Sequence, residues 1–135
     1  MRIKDINKEM LKQYYKDKRV FYDEINDHIF VTDSYRMYVL NESDFILDKN
    51  KLRKIDLSKF VDDSGYVEST ITNNLKFMDK IILRTISNEN NSVLVNDKYL
   101  KLFDNPQVKI KDDHSPVLVY EKGEFVGLIL PIKEY

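Results

Sequence analysis

The sequence predicts an α+β fold made of two similar halves, each a helix followed by antiparallel strands. Two observations support this prediction. Apolar residues near the beginning of the chain recur at helical spacing, and further along short apolar runs alternate with turn-forming residues. The chain has 135 residues, of which 42% are hydrophobic and 33% charged. This length and composition predict one folded domain over residues 1–135.

The first helix is predicted over residues 4–18 by an apolar stripe whose members lie three or four residues apart: Ile3, Ile6, Met10 and Tyr14. A second row of side chains repeats every four residues along the same helix and consists of Lys4, Lys8, Lys12 and Lys16. Two interpretations of this row remain open. It is either an ordinary solvated helix surface or a surface that faces phosphates, and Asp5 and Glu9 dilute its charge locally.

Three short strands are predicted after this helix, over residues 20–24, 28–32 and 35–40. Asn26-Asp27 and Asp33-Ser34 separate them, and such residues favour tight turns. The alternation predicts a meander with one polar face and one apolar face, the latter made by Phe21, Ile25, Ile29, Val31, Met37 and Val39. A connector with a helical turn at residues 56–60 is expected to run to about Tyr66.

The second half is predicted to contain strands over residues 66–70, 80–86 and 92–95 and then a second helix over residues 97–103. Asn96 is the expected N-cap of that helix, and Pro106 is expected to end it. Three more strands are predicted over residues 108–111, 116–121 and 125–132. Lys122-Gly123 should join the last two as a hairpin turn, since glycine readily adopts a positive φ.

Two stretches of the chain resemble the bacterial DNA sliding clamp, the β subunit of the replicative polymerase. Val31-Thr32-Asp33-Ser34-Tyr35-Arg36-Met37 is similar to the clamp segment in which a strand ends in a Thr-Asp-Ser or Thr-Asp-Gly turn and continues as an Arg-Leu strand. Ser115-Pro116-Val117-Leu118-Val119, followed by Leu128-Ile129-Leu130-Pro131-Ile132-Lys133, resembles the end of the last clamp domain in the same order. The resemblance covers about half of the chain.

The resemblance implies a DNA-clamp-like domain that acts in DNA replication without catalysis. In that family helices line a hole for duplex DNA, so the implied lining is Lys4, Lys8, Lys12 and Lys16 together with Lys98 and Lys101. Such a surface holds DNA through phosphates, without regard to sequence and with strong salt dependence. The family's partner-binding groove implies a role for Leu130, Pro131 and Ile132, for which packing in the core or at a sheet edge is the competing interpretation.

Size is where the chain departs from the clamp family, because clamp subunits carry two or three such domains and close a six-domain ring. One domain per chain implies a homo-oligomer if a ring forms. The alternative is a phage-encoded inhibitor or adaptor that uses the clamp-like fold to bind a host replication or defence protein. Tyr14, Tyr15, Tyr99 and Tyr135 are its candidate contact residues, since tyrosine is enriched in binding hot spots.

Catalytic and metal chemistry is not expected from this sequence. The chain has no cysteine and only two histidines, His28 and His114. Asp112-Asp113-His114 could suggest a metal site, but neighbouring side chains of an extended chain point to opposite faces, so a solvated turn is expected there. The three glycines, Gly65, Gly123 and Gly127, are too scattered for a phosphate-binding loop. We therefore expect no enzyme activity, no cofactor and no metal.

A cytoplasmic location without a membrane partner is expected from the hydropathy pattern. The apolar run 126–132 is far shorter than the roughly 20 residues of a membrane helix, and the first residues lack the apolar core of a signal peptide. The 22 basic and 23 acidic residues nearly cancel, so a nucleic-acid role would depend on the distribution of charge. Richness in Lys, Asn, Ile and Tyr is typical of a low-GC bacterium or its phage.

Overall fold

One long helix and ten strands form the fold within residues 1–133, the part of the chain that the computed structural model describes. The predicted α+β class is confirmed. In chain order the elements are α1 (Ile3–Asp17), β1 (Phe21–Ile25), β2 (His28–Thr32), β3 (Arg36–Asn41), β4 (Arg53–Lys54), β5 (Val67–Met78), β6 (Ile81–Ser87), β7 (Ser92–Asn96), α2 (Asp97–Leu100), β8 (Gln107–Ile110), β9 (Val117–Glu121) and β10 (Glu124–Ile129).

Helix α1 forms where the apolar stripe predicts it and packs that stripe on the sheet. Ile6 and Met10 are fully buried there. The helix ends at Lys18, whose left-handed backbone (φ 62°) lets its N–H donate to the Tyr14 carbonyl oxygen at 2.9 Å. At the other end the Arg2 N–H donates to the Leu102 carbonyl oxygen at 2.8 Å. This bond ties the beginning of α1 to the segment that follows α2.

The strands form one sheet in the order β4-β1-β2-β3-β10-β9-β8-β5-β6-β7, in which only the β4–β1 pair is parallel. Two tight hairpins occur where the sequence predicts them. Asn26 and Asp27 have φ of 50° and 64°, and Lys122 and Gly123 have φ of 51° and 79°. Positive φ at both central residues matches the right-handed twist of paired strands.

The prediction that the β1–β3 meander has one polar face is wrong. Val31 and Tyr38 lie on the side of α1 in the main core, whereas Phe30, Met37 and Val39 lie in a second apolar cluster on the opposite side. That second side is covered by the connector between β3 and β5, which contributes apolar side chains at Ile55, Leu57, Phe60 and Tyr66. The predicted helical turn in this connector is a 3₁₀ turn at Ser58–Val61.

Strand β5 is 12 residues long, well beyond the predicted 66–70. Val67 to Ser69 pair with β8, while the rest of the strand pairs with β6 and extends a hairpin. The segment after β10 completes the far side of the sheet, because the Ile132 N–H donates to the carbonyl oxygen of Leu94 in β7 at 2.7 Å. This bridge connects the segment after β10 to β7. The six neighbouring strands β10-β9-β8-β5-β6-β7 therefore form a closed circuit within the sheet.

Helix α2 is shorter than predicted, since it covers Asp97–Leu100 instead of residues 97–103. Its predicted N-cap is confirmed, because the Asn96 side chain accepts a hydrogen bond from the Lys98 N–H at 3.0 Å. Leu102 and Phe103 leave the helix to pack in the main core. The order α1-β1-β2-β3 is matched by α2-β8-β9-β10, and the two three-strand units meet where β3 pairs with β10.

Strand β10 is shorter than the predicted 125–132, since it ends at Ile129. Glu134 and Tyr135, which follow the predicted strand, lie outside the described residues. In the described part of the chain, no helix combines the length and the hydropathy that crossing a membrane requires.

Candidate functional site

A basic groove lies between α1, α2 and the turn that joins β5 to β6, with a cavity volume of about 670 Å³. Its basic lining residues are Arg2, Lys12, Lys16, Arg36, Lys80, Lys98 and Lys101, and its acidic lining residues are Glu9 and Asp97. Seven positive and two negative groups give a formal excess of five positive charges. We call this cavity the basic groove. It is the strongest candidate for a binding site in a chain whose formal net charge is only −1.

The structure brings four of the six predicted lysines together in the basic groove. Lys12 and Lys16 come from α1, and Lys98 and Lys101 come from α2 and its end. Lys4 and Lys8 are exposed on α1 but do not line the groove. The reason is helical geometry, since a four-residue step turns the side chain by about 40° and the row winds around the helix.

The lysines of the groove differ in how they are paired. Lys98 Nζ lies 3.2 Å from Glu9 Oε1, and Lys101 Nζ lies 3.1 Å from Asp97 Oδ2. Both lysine side chains are more than 60% exposed, so these pairs contribute little and exchange readily with other anions. Lys12 and Lys16 have no side-chain hydrogen bond or ion pair with any residue in 1–133. Their ammonium groups are therefore available to a ligand.

Arg36 is a lining residue to which the sequence assigned no binding role. It follows the Thr32-Asp33-Ser34 turn, in which Ser34 has a φ of 82°. The buried Asp33 carboxylate organises this turn. Its Oδ1 accepts hydrogen bonds from the N–H groups of Tyr35 (3.0 Å) and Arg36 (3.2 Å), and its Oδ2 accepts one from Arg36 Nε at 3.0 Å. The motif that carries the clamp resemblance thus fixes an arginine side chain in the groove.

The Arg36 guanidinium is only partly satisfied although the residue is just 3% exposed. Its Cζ lies 4.1 Å from the centre of the Tyr99 ring, and Nη2 lies 3.9 Å from Glu9 Oε2. Nη1 has no hydrogen-bond partner among residues 1–133. Burial lowers the pKa of Arg36, but its neighbours Tyr38 and Asp33 raise that pKa more, so the net shift is upward and the group stays charged.

The groove residues that sequence reasoning missed are Arg2, Arg36 and Lys80. Lys80 lies in the β5–β6 turn, which is distant from α1 in the sequence and meets it only in the folded chain. Of these three residues, only Arg36 had a local signal in the sequence. That signal is Asp33, an acidic residue three positions before the arginine in a turn. Chemically, the groove supplies cations, one fixed guanidinium and an aromatic ring, which is a set suited to binding anions.

The predicted partner-binding residues are not gathered around one cavity. Leu130, Pro131 and Ile132 are each half-buried. Leu130 borders an apolar cavity of about 200 Å³ beside the connector, while Ile132 borders a different cavity next to Leu94. The Leu130 N–H donates to the Tyr35 carbonyl oxygen at 2.9 Å, so this segment runs from the start of β3 across to β7.

The other residues singled out from the sequence are dispersed. Tyr15 is 72% exposed, Tyr14 packs against the main core, and Tyr135 lies outside the described residues. His28 and His114 are exposed.

The expectation that Asp112, Asp113 and His114 point apart is wrong. Their ligand atoms lie within 4.8 Å of one another, because the segment turns instead of running extended. The Asp112 carboxylate accepts hydrogen bonds from the N–H groups of His114 (3.0 Å) and Ser115 (2.6 Å). This turn is solvated, as expected, since His114 and Asp113 are exposed.

Comparison of the chain with protein-family models, with curated proteins and with solved structures finds no match.

Proposed function

We propose that this chain is a non-enzymatic, sliding-clamp-like accessory of DNA replication that contacts duplex DNA through the lysines of α1 and α2. The observation that carries the proposal is the basic groove, in which four of the six expected lysines meet with an excess of five positive charges. The order of elements agrees with it, since each helix precedes a three-strand antiparallel unit. A replication role would place the protein in the cytoplasm.

Binding of this kind should be blind to sequence, because lysines on flexible stems contact phosphates, which carry no sequence information. Each phosphate contact releases counterions, so the logarithm of the affinity falls with the logarithm of salt concentration by about 0.9 per contact. For roughly four contacts, the affinity should fall about 100-fold between 50 and 200 mM salt. Lys4 and Lys8 would extend the contact surface along α1.

The test is a titration of fluorescent duplexes of two unrelated sequences at three salt concentrations. The variant Lys12→Glu/Lys16→Glu should weaken binding to both duplexes and reduce the salt slope by about two contacts. The matched control is Lys51→Glu/Lys54→Glu, which changes the charge equally at exposed residues outside the groove. Absence of binding at low salt, or equal loss in the control, would contradict the DNA role.

A ring can be tested separately by the mass of the protein in solution. A clamp that encircles DNA would need six copies of a one-domain chain, so the proposal in its ring form predicts a hexamer. A monomer that still binds duplex DNA would retain the DNA contact and reject the ring.

A second candidate, a phage-encoded adaptor or inhibitor that binds a host replication or defence protein, is favoured by the β5–β6 hairpin. Leu75, Phe77 and Ile82 near its end are 45%, 75% and 39% exposed, which is unusual for large apolar side chains that lie so close together. This role predicts a one-to-one complex with a host protein that is lost in Phe77→Ser, without affinity for DNA. An Ile46→Ser variant is the control, because it removes an apolar side chain that is 70% exposed and lies outside the hairpin.

A further inference from the structure

We propose that the Arg36 end of the basic groove is a binding site for a phosphate monoester and that the Glu9 carboxylate occupies this site in the free protein. The ligand is either the terminal phosphate of a nucleic acid or the phosphate of a free mononucleotide. The nucleic-acid source rests on the proposed function, whereas the phosphate site itself does not require it.

The first argument is the unsatisfied donor. A guanidinium has five N–H groups. In Arg36, Nε is bound to Asp33, and Nη2 lies 3.9 Å from Glu9 Oε2, which is too long for a hydrogen bond. Nη1 makes no well-formed hydrogen bond with residues 1–133, although the Tyr38 side chain is close enough to raise the pKa of Arg36. Buried charged donors are nearly always satisfied in folded proteins, so this one is a candidate to bind an acceptor that residues 1–133 do not supply.

The second argument is that the guanidinium is held in place before any ligand arrives. Asp33 binds Nε from the β2–β3 turn, and the Tyr99 ring lies 4.1 Å from Cζ. The guanidinium therefore has a fixed orientation, and Nη1, which is buried beside Nη2, would complete a two-atom fork once the Glu9 side chain moves away. This geometry matches two oxygens of a phosphate and adds specificity over a single lysine contact.

The third argument is the position of Glu9, whose two oxygens already lie where an anion would be held. Oε2 is the oxygen near Arg36, and Oε1 lies 3.2 Å from Lys98 Nζ. Glu9 lies on α1, and its side chain is 23% exposed. The side chain can therefore turn away into solvent. A phosphate dianion that replaces it would keep both cations paired and would gain the free Nη1.

The size of the groove favours a ligand larger than a bare ion. Its volume of about 670 Å³ is typical of small-molecule sites, and it has an apolar wall at Ile81, Ile82 and Leu102. Duplex DNA is too wide to enter such a cavity, so its backbone phosphates would stay at the exposed lysines of the groove, Lys12, Lys16, Lys98 and Lys101. A terminal phosphate or a mononucleotide can reach Arg36.

The test measures binding of inorganic phosphate and of AMP to the full chain by calorimetry at constant ionic strength, with chloride as the reference anion. Glu9→Gln removes the competing carboxylate and should tighten phosphate binding roughly tenfold, since like charges within a few ångströms repel strongly away from bulk water. Glu42→Gln is its control, because Glu42 is an exposed carboxylate outside the groove that pairs with Lys49 at 3.1 Å. It should leave the affinity unchanged.

Arg36→Lys should weaken binding by about tenfold or more, because a lysine cannot offer the fork. This variant risks misfolding, so circular dichroism must first show that it is folded. Glu9→Gln carries the test independently, since its effect is a gain. Failure of Glu9→Gln to bind either phosphate or AMP, or affinity equal to the unchanged protein, would overturn the site. So would full affinity in folded Arg36→Lys.

Two further duplexes separate this site from the proposed function. A duplex with a 5′-terminal phosphate should bind more tightly than the same duplex without it, and AMP should compete only for that difference. Binding of phosphate and AMP without any duplex binding would keep the site and reject the DNA role. Duplex affinity that is unchanged by AMP and by the terminal phosphate would keep the DNA role and reject the site as a nucleic-acid contact.

Discussion

Replacement of Asp33 by asparagine tests whether the buried ion pair under the basic groove determines the stability of the β2–β3 turn. The side chains of Asp33 and Arg36 are 1% and 4% exposed, and 3.0 Å separates Oδ2 from Nε. Asparagine keeps an Oδ1 that can accept from the N–H groups of Tyr35 and Arg36. The change therefore removes the charge and the Nε contact with little change in shape.

Breaking one side of a buried ion pair costs about 3–5 kcal/mol, because the remaining charge is left without compensation. Glu9 Oε2 at 3.9 Å from Nη2 compensates part of that charge, so we expect a loss of about 3 kcal/mol in the free energy of unfolding. For a domain with a typical stability of about 5–15 kcal/mol this is a large fraction. With a urea slope of about 2 kcal/mol/M, the midpoint should fall by about 1.5 M.

The assay is urea unfolding followed by far-ultraviolet circular dichroism at neutral pH. Asp63→Asn is the matched control, since Asp63 is half-exposed and pairs with Lys109 at 3.1 Å, and we expect it to cost less than about 1 kcal/mol. If Asp33→Asn costs no more than this control, Arg36 is not held by Asp33 in the way described, and the fixed fork of the basic groove loses its support.

Three further predictions concern packing, capping and pH. Gly127→Ala should destabilise the protein by about 1–3 kcal/mol in the same assay, because the added methyl group would overlap the Met37 carbonyl oxygen and lie 2.9 Å from Phe103 Cζ; an unchanged midpoint would contradict the packing of β10 on β3. Asn96→Ala should cost about 1 kcal/mol by removing the cap of α2, and Asn96→Asp should restore it. Burial raises the pKa of Asp97, but Arg84 and Lys101 lower it more, to a net value below its ordinary 3.8. The stability that this carboxylate adds is therefore present above about pH 4 and lost as the pH falls through its lowered pKa, so Asp97→Asn should be less stable than the unchanged protein at pH 7, and the difference should shrink as the pH falls below about 4; a constant difference would contradict this assignment.

Local signals in the sequence were sufficient for most of the strands and turns. The hairpins at Asn26-Asp27 and Lys122-Gly123 depend on the φ preferences of two residues each, and α1 depends on a stripe within one segment. Strand β5 was predicted too short because its middle contains Asn73 and Asn74, which disfavour strands. Pairing with β6 and β8 overrides that preference, and this partner choice is not visible locally.

The prediction of a polar face on the β1–β3 meander was wrong for a related reason. The prediction places Val31 and Met37 on one apolar side. In the fold they lie on opposite sides, and Tyr38 and Phe30 add an apolar side chain to each. The connector that covers the second side has only scattered apolar residues, so its role becomes visible only in three dimensions.

Some residues of the candidate site could be predicted from local sequence, and others could not. Lys12 and Lys16 follow from helical spacing, and Lys98 and Lys101 follow from a capped turn. Arg36 and Lys80 reach the groove from distant segments of the chain, and no local pattern encodes that meeting.

The position of β10 between β3 and β9 has a consequence for synthesis on the ribosome. The strand at the centre of the sheet, β10, is the last of the ten to be translated. Its pairing with Tyr38, Met37 and Arg36 of β3 joins the β4-β1-β2-β3 part of the sheet to the other strands. Until Ile129 has emerged, the nascent meander presents the unpaired edge of β3. Nascent chains with such an edge are prone to aggregate or to recruit chaperones. Slow translation just before β10 would therefore prolong the time for which the edge of β3 is unpaired.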